Sequence, residues 1–226
     1  MFKFKQFTIH QDRTAMKVGT DGVLLGAWAP IAPTANKLLD IGTGTGLIAL
    51  MLAQRLTQCK MQNAKCTIDA EKSNLWRENH ELKIDAIDID LSSIEQATEN
   101  VKSSPFALYV STHHTSLQEH TTTEKYDAIV CNPPYFVASL KCPDANRTQA
   151  RHTDTLSFDD LLQHSARLLN SEGSLSVILP INEGHQLIEL APKYEFSLTQ
   201  LVHVHSTPTS EPKRLLMHFI KQNTKN

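Results

Sequence analysis

The stretch Lys37-Leu38-Leu39-Asp40-Ile41-Gly42-Thr43-Gly44-Thr45-Gly46-Leu47-Ile48-Ala49-Leu50 joins a short apolar run to a helical pattern through a glycine-rich turn. Strand, glycine turn and helix in immediate succession open an α/β sheet that holds a nucleotide-like ligand, because glycine lets the backbone turn tightly and come close to it. A dinucleotide fingerprint needs its third glycine at position 47, which here is Leu47; the glycine falls at Gly46 instead. The spacing of Asp40, Gly42, Gly44 and Gly46 therefore favours S-adenosylmethionine over NAD, and these four are candidate cofactor-binding residues.

Outward from this loop, short apolar runs alternate with helical patterns, the signature of strand-helix units building a mostly parallel sheet. Strands are expected at Lys37 to Ile41, Ile84 to Ile89, Ala107 to Val110, Tyr126 to Cys131, Ser174 to Leu179, Leu198 to His205 and Arg214 to Lys221. Helices are expected at Leu47 to Leu56, Leu91 to Lys102 and Ser157 to Asn170, with Gly173 as the stop of the last. The fold class is α/β: one Rossmann-like, doubly wound, seven-stranded, mostly parallel sheet in a single domain spanning residues 1-226. Residues 58-83 are polar and read as a surface insertion, with a helix expected around Ala70 to Glu81.

With 226 residues and 40% hydrophobic content the chain can bury one good-sized core. A net charge of -2 and a pI near 6.6 do not advertise nucleic-acid binding, so any basic footprint has to be local. Cys59, Cys66, Cys131 and Cys142 form no CxxC pair and have no histidine at zinc-finger spacing, which points to free thiols and no metal. The first residues lack the apolar core of a signal peptide and no run is long enough to span a bilayer, so a cytoplasmic protein without a membrane association is expected.

Two further strand ends carry chemistry. Asp88, in Ala86-Ile87-Asp88-Ile89-Asp90, stands at the end of the second strand, where a carboxylate can accept hydrogen bonds from both hydroxyls of a ribose; Asp88 is preferred to Asp90. After the fourth strand come Asn132-Pro133-Pro134-Tyr135, near the switch point at which open α/β sheets bind ligands. An aryl amine is a poor nucleophile because its lone pair is delocalised into the ring. The Asn132 side-chain oxygen and the Pro133 carbonyl can accept its two N-H hydrogens and aim the lone pair at a methyl donor. Pro133 and Pro134 stiffen the loop, and Tyr135 and Phe136 offer faces on which an extruded base can stack. Asn132, Pro133, Pro134 and Tyr135 are the candidate catalytic residues, and Asn132 also borders the cofactor.

At this point the sequence resembles the tRNA1(Val) (adenine-37-N6)-methyltransferases within the class I methyltransferase superfamily. The likeness is carried by Phe4-Lys5-Gln6-Phe7 with Asp12 to Trp28, by the glycine loop with Leu50 to Arg55, and by Asn132 to Tyr135 followed by Gln149-Ala150-Arg151. The resemblance implies methyl transfer from S-adenosylmethionine, leaving S-adenosylhomocysteine, to N6 of an adenine in tRNA. It also implies that residues 1-30 form a cofactor lid and that Lys17, Gly19 and Thr20 lie near the methionine end of the cofactor. Read without the family, Thr20 or Asp21 is an N-cap for a helix from Gly22 to Trp28. The likeness breaks at the insertion, at His113-His114-Thr115, where the family has an aspartate for the cofactor adenine and His114 is the candidate instead, and after the last strand, where the family continues into a further strand and a tyrosine-bearing helix.

The tRNA partner calls for cations at the pocket mouth, for which Lys3, Lys5, Lys17, Arg147, Arg151, Lys213 and Arg214 are available, with Arg147 and Arg151 foremost. An anticodon-loop adenine is already single-stranded, so flipping it out costs little. The same Asn-Pro-Pro-Tyr loop can present a glutamine amide, which keeps a protein glutamine N5-methyltransferase acting on a translation factor as an alternative. A duplex-DNA adenine methyltransferase and a non-catalytic S-adenosylmethionine-binding module are further alternatives. A monomer is expected.

Overall fold

Alternation along the strands splits the core into two layers, one on each side of a twisted sheet. In the computed structural model, Leu38, Ile84, Ala86, Val110, Ala128, Val130, Ile178 and Leu216 face one side, and Leu39, Ile41, Ile87, Ile129, Cys131, Val177, Leu215 and Met217 face the other. Such two-sided burial requires helices on both faces. The structure describes residues 1–14, 16–66, 82–133 and 156–223.

The described elements are β1 (Phe2–Lys3), β2 (Thr8–Ile9), α1 (Thr20–Trp28), β3 (Lys37–Ile41), α2 (Leu47–Cys66), β4 (Lys83–Asp88), α3 (Leu91–Lys102), β5 (Val110–His114), β6 (Tyr126–Cys131), α4 (Phe158–Leu168), β7 (Leu169–Pro180), α5 (Ile181–Leu190), β8 (Phe196–His205) and β9 (Pro212–Lys221). β1 and β2 form a small hairpin, and the other seven strands make one sheet in the order β5-β4-β3-β6-β7-β9-β8. All neighbours are parallel except the two pairs made by β9. The chain winds outward from β3 through β4 to β5, then returns to the other side of β3 with β6. The strand order therefore reverses between β3 and β6, where a ligand crevice belongs.

The expected seven-stranded sheet is present, and several local boundaries differ. The third strand is Val110–His114, because Ala107 to Tyr109 lie in a turn with Leu108 90% exposed, and pairing starts at Val110 opposite Ile84. α2 runs on to Cys66, through the first residues of the polar stretch read as an insertion, while the helix expected around Ala70 to Glu81 falls outside the described residues. α4 ends at Leu168, capped at its start by the Ser157 side chain, and Gly173 sits inside the irregular first half of β7. The positive φ belongs to Glu172, so Gly173 is not the helix stop. α1 starts at Thr20 with Gly19 as its N-cap; Asp21 turns instead to Arg214, whose Nε donates to its carboxylate at 2.9 Å.

α1 is held close to α2 by two glycines one turn apart. A Cβ at Gly26 would lie 2.8 Å from Met51 Sδ, and one at Gly22 would lie 3.3 Å from Leu47 Cδ2. Arg55 of α2 donates to the carbonyls of Gly26 and Ala29 at 2.8 and 3.0 Å, closing the far end of α1. The first turn of α1 is thereby fixed over the start of α2, beside the glycine loop.

Candidate active site

Register lines up the candidate residues in one row across four strand ends. Asp88 pairs with His114, Ile41 pairs with Ile87 and with Cys131, and the next residues along β3 and β6 are Gly42 and Asn132. His114, Asp88, Gly42 and Asn132 thus stand side by side at the carboxyl edge of the sheet.

The glycine loop is built by positive φ. Gly42, Gly44 and Gly46 have φ of 67, 55 and 80°, values that a side chain with a Cβ resists. The amides of Gly42 and Thr43 donate to the Ile87 carbonyl at 2.9 and 3.0 Å, and Gly44 N-H donates to Asp88 Oδ2 at 2.9 Å. A Cβ at Gly42 or Gly44 would meet no atom of the described residues within 4 Å, so among them this side of the loop opens on free space. At Gly46, by contrast, a Cβ would come 3.4 Å from Ala97 of α3.

Asp40 is fully buried beneath the loop. Its Oδ2 accepts from Thr43 Oγ1 at 2.6 Å and from Ala49 N-H at 3.1 Å, while Oδ1 has no hydrogen-bond partner among the described residues. Burial pushes its pKa up to about 7, against the Thr43 and Ala49 hydrogen bonds and with help from the nearby Asp88 charge. Burial likewise raises the Cys131 thiol, with Asp40 and Asp88 adding to it, so the residue before Asn132 is a neutral apolar wall.

Asp88 and Asp90 have separate tasks. Asp88 spans the loop and the chain after β4, its Oδ1 accepting from Asp90 N-H at 3.0 Å. Asp90 caps α3, accepting from the amides of Ser92 and Ser93 and from both hydroxyls. The Ser93 and Ser92 hydrogen bonds hold its carboxyl below the ordinary range.

The Asn132 carboxamide lies against α1, its Nδ2 3.9 Å from where a Cβ of Gly22 would be. Its Oδ1 is buried and has no hydrogen-bond partner among the described residues. A buried amide oxygen without a donor is costly, so this atom is an acceptor waiting for one. Pro133 is buried behind it. Pro134, Tyr135, Phe136, Arg147 and Arg151 lie outside the described residues.

His114 Nε2 meets the Ile89 carbonyl at 3.0 Å, so a neutral ring donates there and keeps Nδ1 as an acceptor. His113 points elsewhere: it contacts Asp85 at 3.1 Å, and Asp85 also accepts from Tyr126 Oη at 2.6 Å. The hydrogen bond to Asp85 raises the His113 pKa against burial. Lys17 donates Nζ to the carbonyls of Gln11 and Thr14 at 2.6 and 2.9 Å, so its ammonium ties a loop. Gly19 and Thr20 open α1 one turn before Gly22.

Sequence reading missed Gln96 and Asn100, two polar residues almost fully buried on α3. Gln96 Oε1 accepts from the amides of Asp12 and Arg13 at 3.0 and 3.2 Å. Asn100 exchanges hydrogen bonds with both backbone groups of His10 and donates to the Thr45 carbonyl at 2.9 Å. The available signal was a polar pair four residues apart on the face where a crossover helix is ordinarily apolar.

The model of the methyltransferase small domain matches residues 72–202. A tRNA1(Val) (adenine(37)-N6)-methyltransferase of Parabacteroides distasonis is 48% identical over 220 residues, covering 96% of this chain and 82% of that protein. The chain belongs to the tRNA1(Val) (adenine(37)-N6)-methyltransferase family. Another of this methyltransferase family, from Phocaeicola vulgatus, is 45% identical over 218 residues, with 96% and 82% of the two chains covered. Among solved structures, the N-methyltransferase NodS of Bradyrhizobium japonicum in complex with S-adenosyl-L-homocysteine superposes with a TM-score of 0.53 at 16% identity, covering 89% of this chain and 84% of that one. At that identity the likeness is one of fold. No described helix of this family member is long and apolar enough to cross a membrane.

Proposed function

We propose that the chain transfers a methyl group from S-adenosylmethionine to N6 of an adenine in tRNA, adenine 37 of tRNA1(Val) being the substrate named for its relatives. The observation that carries this reading is the buried Oδ1 of Asn132, without a partner among the described residues, one strand away from an open glycine loop and level with Asp88. The residues fit the cofactor: Gly42 and Gly44 leave open space, Asp88 offers a carboxylate at the ribose position, and His114 Nδ1 offers an acceptor toward the cofactor adenine. Lys17, Gly19 and Thr20, in the lid of residues 1-30, would close the methionine end. When bound, S-adenosylmethionine supplies an electrophilic methyl group on a sulfonium.

The protein's own work is positioning and electrostatics. Asn132 Oδ1 and the Pro133 carbonyl each take one N-H of the acceptor amine, which turns its lone pair out of conjugation and holds it in line. Tyr135 and Phe136 stack the extruded base, Pro134 keeps their loop stiff, and Arg147 and Arg151 meet the flanking phosphates. The amine proton can leave to water, so no strong base is required. The whole chain acts as one catalytic domain, in monomeric form, in the cytoplasm.

The reading is tested by incubating the purified protein with radiolabelled S-adenosylmethionine and, in parallel, bulk tRNA, duplex DNA and a translation-factor protein. Label in N6-methyladenosine of valine tRNA is expected. Label in methylglutamine would move the acceptor to protein, and cofactor binding with no label anywhere would overturn the catalytic reading.

A further inference from the structure

We infer that Asn100 is a positioning residue that couples the N-terminal strap to the glycine loop, so that occupation of the loop and ordering of the strap are one event. The inference rests on the glycine loop being the cofactor site. Asn100 is 1% exposed and spends its whole carboxamide on backbone. Oδ1 accepts from His10 N-H at 2.9 Å, and Nδ2 donates to His10 O at 2.8 Å and to Thr45 O at 2.9 Å. Both Nδ2 hydrogens are therefore used, one on the strap and one on the glycine loop.

Gln96, one turn earlier on α3, takes the next amides of the strap, Asp12 and Arg13. Between them on the same helix, Ala97 lies 3.4 Å from where a Cβ of Gly46 would be, and the φ of 80° at Gly46 is what favours glycine there. A crossover helix gains nothing for its own fold by burying two amides, since each costs free energy unless bonded. What the pair supplies is backbone partners for a strap whose only strand pairing among the described residues is the two-residue hairpin β1–β2.

Beyond Arg13 the strap is knotted by Gln11, whose Oε1 accepts from Val18 N-H at 2.8 Å, and it runs directly into the Gly19 cap of α1. The first turn of α1 then meets Asn132 through Gly22. One side chain thus links the loop that would grip the cofactor to the segment that reaches the amine-binding asparagine. If Thr45 O is fixed by a ligand on the loop, Asn100 is fixed, and His10 with it.

The test is amide hydrogen exchange on the unaltered chain, with and without S-adenosylhomocysteine. Binding is expected to slow exchange at His10, Asp12 and Arg13 by about tenfold or more, as a coupled local opening requires. Asn100→Asp keeps the volume and the acceptor but loses both donors. It is expected to raise Kd for S-adenosylhomocysteine and KM for S-adenosylmethionine about tenfold while kcat at saturating cofactor stays within about threefold, since rigid placement lost at the loop is repaid on binding. Gln96→Ala, which frees the strap but leaves Thr45 bonded, should raise Kd by only about threefold. Binding of S-adenosylhomocysteine with unchanged exchange at the three amides would overturn the coupling, whether or not the variants fold. A folded Asn100→Asp with unaltered Kd would do the same. Absence of any binding to the unaltered chain would instead remove the cofactor assignment on which the coupling depends.

Discussion

Asp40 is held with one oxygen bonded and one bare, next to a second carboxylate, and the consequence is a pH dependence of the fold. Its folded pKa is about 7 against 3.8 for the free side chain, so between these values the folded chain holds a proton that the unfolded chain has lost. Its contribution is fully present below about pH 4 and is lost as pH rises through about 7. Asp40→Asn keeps an acceptor for Thr43 and Ala49 and removes the charge. It should gain stability relative to the unaltered chain, by some kcal/mol, as pH goes from about 5 to about 8 in urea unfolding; an equal difference at both pH values would place the Asp40 pKa elsewhere. At the neighbouring positions the two halves of the chemistry should separate. Asn132→Ala should lower kcat by about 100-fold or more with cofactor affinity nearly unchanged, because it removes only the amine's acceptor. Asp88→Ala should weaken cofactor binding by about 10- to 100-fold, the worth of hydrogen bonds to a charged group, before kcat at saturation changes. Isothermal titration with S-adenosylhomocysteine beside single-turnover kinetics distinguishes the two patterns.

At the scale of elements, α1 controls the approach to Asn132, and its seat on α2 depends on Gly26. A Cβ there would lie 2.8 Å from Met51 Sδ and 3.2 Å from Met51 Cβ, and the second atom cannot swing away. Gly26→Ala should destabilise the chain by about 1–3 kcal/mol, as overpacking does, and should lower kcat more than cofactor affinity because the displaced helix carries Gly22 away from Asn132. Thermal unfolding and the same kinetic split check it. The sequence reveals elements in proportion to how strongly one physical signal dominates them. β6 reads correctly from Tyr126 to Cys131 because both faces are buried and every residue of the run but Asp127 is apolar or aromatic. β5 slips because an edge strand with one wet face, Val110-Ser-Thr-His-His, is outweighed by the apolar Ala107-Leu108-Tyr109 before it. α5 is not legible, since Gly184 inside it resembles a turn residue until Leu215 is seen packing 2.8 Å from where its Cβ would be. The site was legible where glycine, aspartate and Asn-Pro-Pro stand at strand ends. Gln96 and Asn100 were not, because a polar residue on a helix shows its burial only once the strap lies over it.

For the whole molecule, charge sets how the chain can hold a nucleic acid. The net charge is -2, and two of the cations available to the pocket mouth are engaged within the fold, Lys17 with two carbonyls and Arg214 with Asp21. Lys3, Lys5 and Lys213 are exposed, and Arg147 and Arg151 follow the Asn-Pro-Pro-Tyr loop in sequence. Roughly five phosphates is then the most these side chains can neutralise, and each contributes about 0.7 to the salt dependence on a single strand, so the logarithm of tRNA affinity should fall with the logarithm of salt with a slope no steeper than about -3.5. Affinity would be carried instead by stacking and hydrogen bonding of the flipped base, which salt hardly touches. Fluorescence anisotropy of labelled tRNA between about 50 and 200 mM salt measures the slope. A slope near about -5 would mean that Arg214 leaves Asp21 and Lys17 leaves its loop to raise the contacts to about seven, and then Asp21→Asn should strengthen tRNA binding by sparing the cost of breaking the pair.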